Sequence, residues 1–225
     1  MAYVIGPKIV TSGLTLYLDA GNRRSYSGSG TIWNNLIDNQ VSGSLTNGPT
    51  FSSTNLGSII FDGVDDYINC GSNTVTSFPT DFTLYAWIYP LSSGAIISRR
   101  NGFTFVNNYQ VFLNSNLTLG FQINNNAGVS NGISGGVAPL NTWTCVTTVK
   151  SGSSMLVYDD SILVASTSAP SGTITDVTAP LRIGQNHDLN TPFTGRISNV
   201  MLYNRALSQA EILQNFNALR GRFGA

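Results

Sequence analysis

The stretch FDGVDDYINCG, residues 61–71, sets Asp62, Asp65 and Asp66 within five positions of a chain that has only 11 acidic residues. Three carboxylates this close could ligate calcium. That ion takes roughly six to eight oxygens and accepts the side-chain and carbonyl oxygens of a single turn. The same residues also suit a hairpin, because Asp-Gly is a turn dipeptide and aspartates there accept hydrogen bonds from backbone amides. Both readings fit the sequence, and the turn is the simpler. A metal shell would draw further on Asp19 and Asp188.

Hydrolytic chemistry finds little support. Glycoside hydrolysis needs two carboxyl groups about 5–10 Å apart. The chain has one glutamate, Glu211, and Asp19, Asp38, Asp81, Asp176 and Asp188 stand apart from one another. The one histidine, His187, lies in the loop QNHDLNTPF, and no GxSxG precedes a helix. GISGG lacks the Lys-Ser/Thr of a phosphate-cradling loop. The chain therefore reads as a non-enzyme. Of the three tryptophans, Trp87 and Trp143 sit among apolar strand residues and read as core. Trp33 follows a Gly/Ser loop and is the candidate for stacking on a sugar ring. Cys70 and Cys145 fit either a disulfide or two buried thiols.

The elements that must position these residues show a period of two. In FTLYAWIYP, Phe82, Leu84, Ala86 and Ile88 share one face and Thr83, Tyr85, Trp87 and Tyr89 the other, which predicts a central strand covered on both sides. About a dozen such runs, including FTFV at 103–106 and the pair flanking YDDSI, are separated by turn clusters such as TNGPT and APSGT. They predict an all-β, two-sheet antiparallel sandwich of jelly-roll type. One segment differs. In ALSQAEILQNFNALR, Ser208 and Glu211 form a capping box, and Ile212, Leu213, Phe216 and Leu219 make an apolar stripe, so one short C-terminal helix is expected over 208–219. The organisation expected is an N-terminal arm (1–12), a sandwich (13–207), and a helix and tail packed on the same domain (208–225). Eleven basic residues balance eleven acidic ones and only 10% of residues are charged, which disfavours nucleic acid as a partner. No segment reaches the roughly 20 apolar residues of a membrane helix, so no membrane insertion is expected. The N-terminus has no basic region followed by a long apolar run, and no secretory signal is read there.

The ordered motifs GLTLYLDAGN (13–22), SGSGTIWNNL (27–36), GSIIFDGVDDYI (57–68), FTLYAWIYP (82–90), LRIGQ (181–185) and FTGRISNVMLYNRALSQAEILQNFNALRGRF (193–223) resemble the laminin-G-like, concanavalin A-like lectin/glucanase superfamily. The form resembled is the stand-alone one of marine bacteria and tailed phages, including cyanophages. The resemblance implies two antiparallel sheets, one curved, with ligand sites on the concave face or the rim, and it adds weight to calcium at Asp62, Asp65 and Asp66. The Glu-x-Asp-x-x-Glu strand of the superfamily's glycosidases is absent. Where many relatives carry an acidic pair this chain has Ser198 and Asn199, and where many carry an Asn-Gly hairpin it has Asp159 and Asp160.

The function this implies is a non-enzymatic virion surface protein, a capsid decoration or fibre-associated module made in the host cytoplasm. Its partners would be capsid or other virion proteins, further copies of itself, and host glycans. The apolar strip Tyr3, Val4, Ile5, Ile9 and Val10 and the tail that follows the helix are the expected anchors. The alternative is a soluble or cell-surface lectin or adhesin that binds carbohydrate, with a glycoside hydrolase as a remote third.

Overall fold

The computed structural model describes residues 7–37, 41–100, 108–172, 174, 178–186 and 191–225. Their strands are β1 (Leu14–Asp19), β2 (Ile32–Trp33), β3 (Gly43–Thr46), β4 (Thr50–Ser52), β5 (Ser58–Asp62), β6 (Tyr67–Asn69), β7 (Phe82–Pro90) and β8 (Gly94–Arg99). They continue as β9 (Asn108–Leu113), β10 (Leu119–Asn124), β11 (Ser130–Gly135), β12 (Thr144–Ser151), β13 (Ser154–Asp159), β14 (Ile162–Ser168), β15 (Leu181–Ile183) and β16 (Thr194–Tyr203). Pairing is antiparallel throughout. The first sheet runs β14-β13-β12-β7-β16-β5-β4, with β1 also on β16, and the second runs β11-β10-β9-β8-β15-β6-β3-β2. The expected jelly-roll sandwich is the fold.

The two faces of β7 separate as the alternation predicts. Phe82, Leu84, Ala86 and Ile88 enter the core between the sheets, while Tyr85 and Trp87 enter a second core on the outer face of the first sheet. Such double burial requires a cover. It comes from helix α1 (Gln209–Leu219) and from Phe223, whose ring stacks on Trp87 at a centroid distance of 4.2 Å. Phe216 stacks on the same indole at 5.6 Å. Each aromatic side chain so buried contributes about 2 kcal/mol from area alone.

The helix starts where the capping box puts it. Ser208 accepts from the Glu211 backbone N–H, and the Glu211 carboxylate accepts from the Ser208 N–H. The buried stripe differs in one member: Leu213 is 44% exposed, whereas Asn215 is fully buried. Asn215 closes a polar knot. Its Oδ1 accepts from Val10 N, its Nδ2 donates to the Tyr203 hydroxyl, and that hydroxyl donates to Val10 O. A leucine there would fit the stripe but leave the Val10 N–H without this acceptor, at a cost of about 1–3 kcal/mol.

This knot corrects the reading of the N-terminal strip. Val10 is core, Ile9 packs against it, and Gln214 Nε2 donates to Lys8 O, so these residues are committed to the domain's own fold rather than to a partner. Tyr3, Val4 and Ile5 lie outside the described residues, as does FTFV.

Two expectations test the cap. Replacing Ser208 by alanine should lower stability by about 1 kcal/mol, seen as a lower melting temperature. Bidentate pairing with Arg205, aided by Ser208, holds the Glu211 carboxyl down from 4.5 to about 2. A depressed carboxyl contributes stability above its ordinary pKa and loses it as pH falls through the folded one. Melting temperature should therefore fall between about pH 4.5 and pH 2, and less steeply in Glu211→Gln.

Candidate functional site

The acidic stretch is a connection between sheets, not a hairpin. Asp62 ends β5 in the first sheet and Tyr67 opens β6 in the second. The sequence signals a turn but not which strands it joins, because Asp-Gly serves both. Gly63 adopts φ +80°, and a Cβ there would run into the Thr194 side chain of β16. Asp62 Oδ1 accepts from Val64 N at 2.8 Å, and Asp66 Oδ2 accepts from Asp62 N at 3.0 Å. Both carboxylates thus fasten the turn. They also converge: carboxylate oxygens of Asp62, Asp65 and Asp66 all lie within 4.8 Å of one another. Burial raises the Asp66 carboxyl, the hydrogen bond from Asp62 N–H lowers it, and the charges of Asp62 and Asp65 raise it again. This donor set fits a hard divalent cation such as calcium, which would neutralise the mutual repulsion. Asp19 plays no part in it: its carboxylate is paired with Arg222 at 2.9 and 3.0 Å. Asp188 and His187 lie outside the described residues.

The tryptophans are all largely interior. Trp33 is fully buried in the core between the sheets, which corrects its reading as a surface stacking residue. The Gly/Ser loop before it signals an irregular approach, not exposure. Trp87 is fully buried, and Trp143 is 9% exposed with its indole N–H donating to Asn55 Oδ1. Cys70 and Cys145 are free and buried, and burial pushes the Cys70 thiol up to about 12.

Sequence reasoning missed the face of the second sheet. Since Tyr109, Val111 and Leu113 enter the core, Gln110 and Phe112 project the other way. Register then lines up Ser44, Asn69, Arg182, Ser98, Gln110 and Gln122 across six neighbouring strands. Arg182 lies over the Tyr67 ring at 4.6 Å. The Phe112 ring lies against Gly120, where any Cβ would collide with it. Among the described residues no helix covers this face. Beside Phe112 opens a cavity of about 360 Å³ bounded by Ser93, Gln110, Asn114, Thr191 and Pro192. The signal available in the sequence was the alternation of polar and apolar residues in YQVFLN and LTLGFQI.

A second cavity, about 340 Å³, adjoins the β13–β14 hairpin and is lined by Trp143, Asp159, Asp160 and Ile162 among others. The hairpin keeps a two-residue loop without Asn-Gly: Asp160 and Ser161 take φ +46° and +70° themselves. Burial raises both carboxyls, and each accepts one backbone N–H, Asp159 from Val137 and Asp160 from Cys145.

Sandwich and topology define a jelly-roll protein of the lectin/glucanase type. A family model described as the concanavalin A-like lectin/glucanases superfamily matches residues 62–213, and the chain belongs to that superfamily. Nothing among curated proteins matches it. Among solved structures, it resembles the binding domain of Paraclostridial Mosquitocidal Protein 1, with TM-score 0.73 and 15% identity over 92% of this chain and 52% of that one. Trypanosoma rangeli sialidase gives TM-score 0.68 and 17% identity, with 99% and 37% covered. Domain 4 of AbnA, a GH43 extracellular arabinanase from Geobacillus stearothermophilus solved with arabinotriose, gives 0.65 and 18%, with 92% and 100% covered. The chain thus spans about half of the toxin domain and little more than a third of the sialidase, but all of the arabinanase domain. At these identities the likeness is one of fold.

Because Asp65 carries charge without a side-chain hydrogen bond, Asp65→Asn should raise the melting temperature in chelator-treated buffer. Millimolar calcium should then stabilise the native chain more than this variant, as thermal melts would show.

Proposed function

We propose that this chain is a carbohydrate-binding module without catalytic activity. The observation that carries the reading is the polar outer face of the second sheet, covered by no helix among the described residues, with the Phe112 ring against Gly120 beside a cavity of about 360 Å³. Protein sites for small ligands of this size combine an apolar wall with a few placed polar groups. An aromatic face packs against sugar C–H groups, while amides and hydroxyls bond to sugar hydroxyls. The superfamily and the arabinotriose complex of the similarly folded arabinanase domain support the same reading.

Absence of catalysis is argued from the carboxylates of the described residues. Glu211 is consumed by Arg205 and the helix cap, Asp19 by Arg222, and Asp81 lies 3.5 Å from the Lys150 ammonium. Asp62 and Asp66 fasten a turn, and Asp159 and Asp160 are neighbours on one hairpin, each bonded to backbone. None of these pairs flanks the Phe112 cavity as a general acid and its opposed base or nucleophile must.

The native chain should be retained on an immobilised polysaccharide or glycan array and released by free oligosaccharide, with no reducing ends formed on prolonged incubation. Turnover that disappears in Asp160→Asn would replace this reading with a hydrolase at the β13–β14 hairpin. Residence on a virion surface, with capsid proteins as partners, is a further proposal carried by the motif resemblance alone. Mass spectrometry of purified virions tests it, and absence of the chain would end it.

A further inference from the structure

Leu56, in the loop between β4 and β5, takes φ +67° and leaves its side chain 68% exposed. Larger L residues rarely adopt that left-handed conformation, and an exposed leucine gains nothing from the core in return. The loop is nonetheless held in place. Asn55, also left-handed at φ +54°, accepts from the Trp143 indole N–H and donates to Arg222 O. Leu56 forms a ridge between two cavities and lines both. One, of about 700 Å³, is bounded by Asn55, Asn217, Gly221 and Arg222; the other, of about 160 Å³, by Gly21, Arg23, Tyr26 and Phe51. The surroundings are basic. Arg23, Arg24 and Arg220 are exposed, and among the described residues their guanidinium groups have no carboxylate partner, while Asp19 pairs with Arg222.

A surface of complementary character lies on the same chain. The turn after β5 presents Val64, 70% exposed, at its tip, flanked by the exposed Asp62 and Asp65. An apolar knob between carboxylates matches an apolar ridge between guanidinium groups, and arginine pairs with carboxylates in a bidentate geometry. Strand β5 separates the two features. Ser58 begins it just after Leu56, and Asp62 ends it, a five-residue strand spanning roughly 15 Å. One copy therefore cannot meet its own arginines with its own turn, but two copies can. With 11 acidic and 11 basic residues the chain has no net charge to keep copies apart. We infer that copies of this chain associate head to tail, the Val64 turn of one seated on the Leu56 surface of the next. Such a contact is heterologous, so it builds open chains or closed rings. It does not rest on the carbohydrate-binding reading.

Sedimentation velocity on the native chain tests this, in low-salt buffer with chelator so that no cation neutralises the turn. The weight-average mass should rise above that of the monomer with concentration, and fall back when salt is raised about tenfold, because the charges are exposed. Asp65→Lys and Arg23→Glu should each weaken association by about tenfold or more, since like charges then face each other, and should melt no lower than the native chain. An equimolar mixture of the two variants should associate again, because the unaltered turn of one meets the unaltered arginines of the other. Leu56→Asn should weaken association and also melt no lower, since asparagine takes positive φ more readily. A leucine with only a structural role would instead melt lower when replaced and leave association unchanged. A native chain that stays monomeric at every concentration overturns the inference. So does association that both charge variants keep, or a mixture of them that stays monomeric, either of which excludes this pairing of turn and ridge.

Discussion

The stacking of Phe223 and Phe216 on Trp87 is the contact on which the arrangement of the molecule depends. A sheet with two apolar faces needs two covers. The second sheet supplies one; the helix and the segment after it supply the other. Once α1 lies on the first sheet, that sheet offers little outer surface to a ligand. The outer face of the second sheet is left to carry polar residues, and its Ser, Asn, Arg and Gln side chains follow from that position. The asymmetry of the sandwich is thus set by the apolar residues of β7 and by the helix that hides them.

The same contact organises the charged residues nearby. Arg222, one residue before Phe223, reaches Asp19 and Ser198. Ser198 in turn donates to Gly57 O at the bulge in β16. A small hydroxyl thus ties the tail, β16 and the loop before β5 together.

Much of this was legible in the sequence, for reasons that differ by element. β1, β7 and α1 could be read because alternation, double apolar faces and a capping box are local signals that tertiary packing reinforced. The acidic turn was legible as a turn but not as a crossing between sheets, since pairing partners are chosen at long range. Trp33 was misread because burial belongs to the fold and not to the flanking loop. Val10 was misread for the same reason: its cover is Asn215, 205 positions away. The polar face of the second sheet stayed hidden because its residues come from six strands that are far apart in the sequence. Gln110, Phe112 and Gly120 acquire meaning only through register.

The antiparallel pairing of β1 with β16, Leu14 opposite Tyr203, has a kinetic side. Each strand completes the sheet for the other, and the loop their pairing closes is nearly the whole domain. Loop-closure entropy of that size must be met before the contact returns anything, which places this sandwich among slow-folding, high-contact-order topologies. Until β16 is in position, β1, β5 and β7 all present unpaired edges, so a partly folded chain is exposed to wrong strand pairing between molecules. Once closed, opening at either end must break the Val10–Asn215–Tyr203 knot. The domain is therefore expected to hold its native state through a high unfolding barrier.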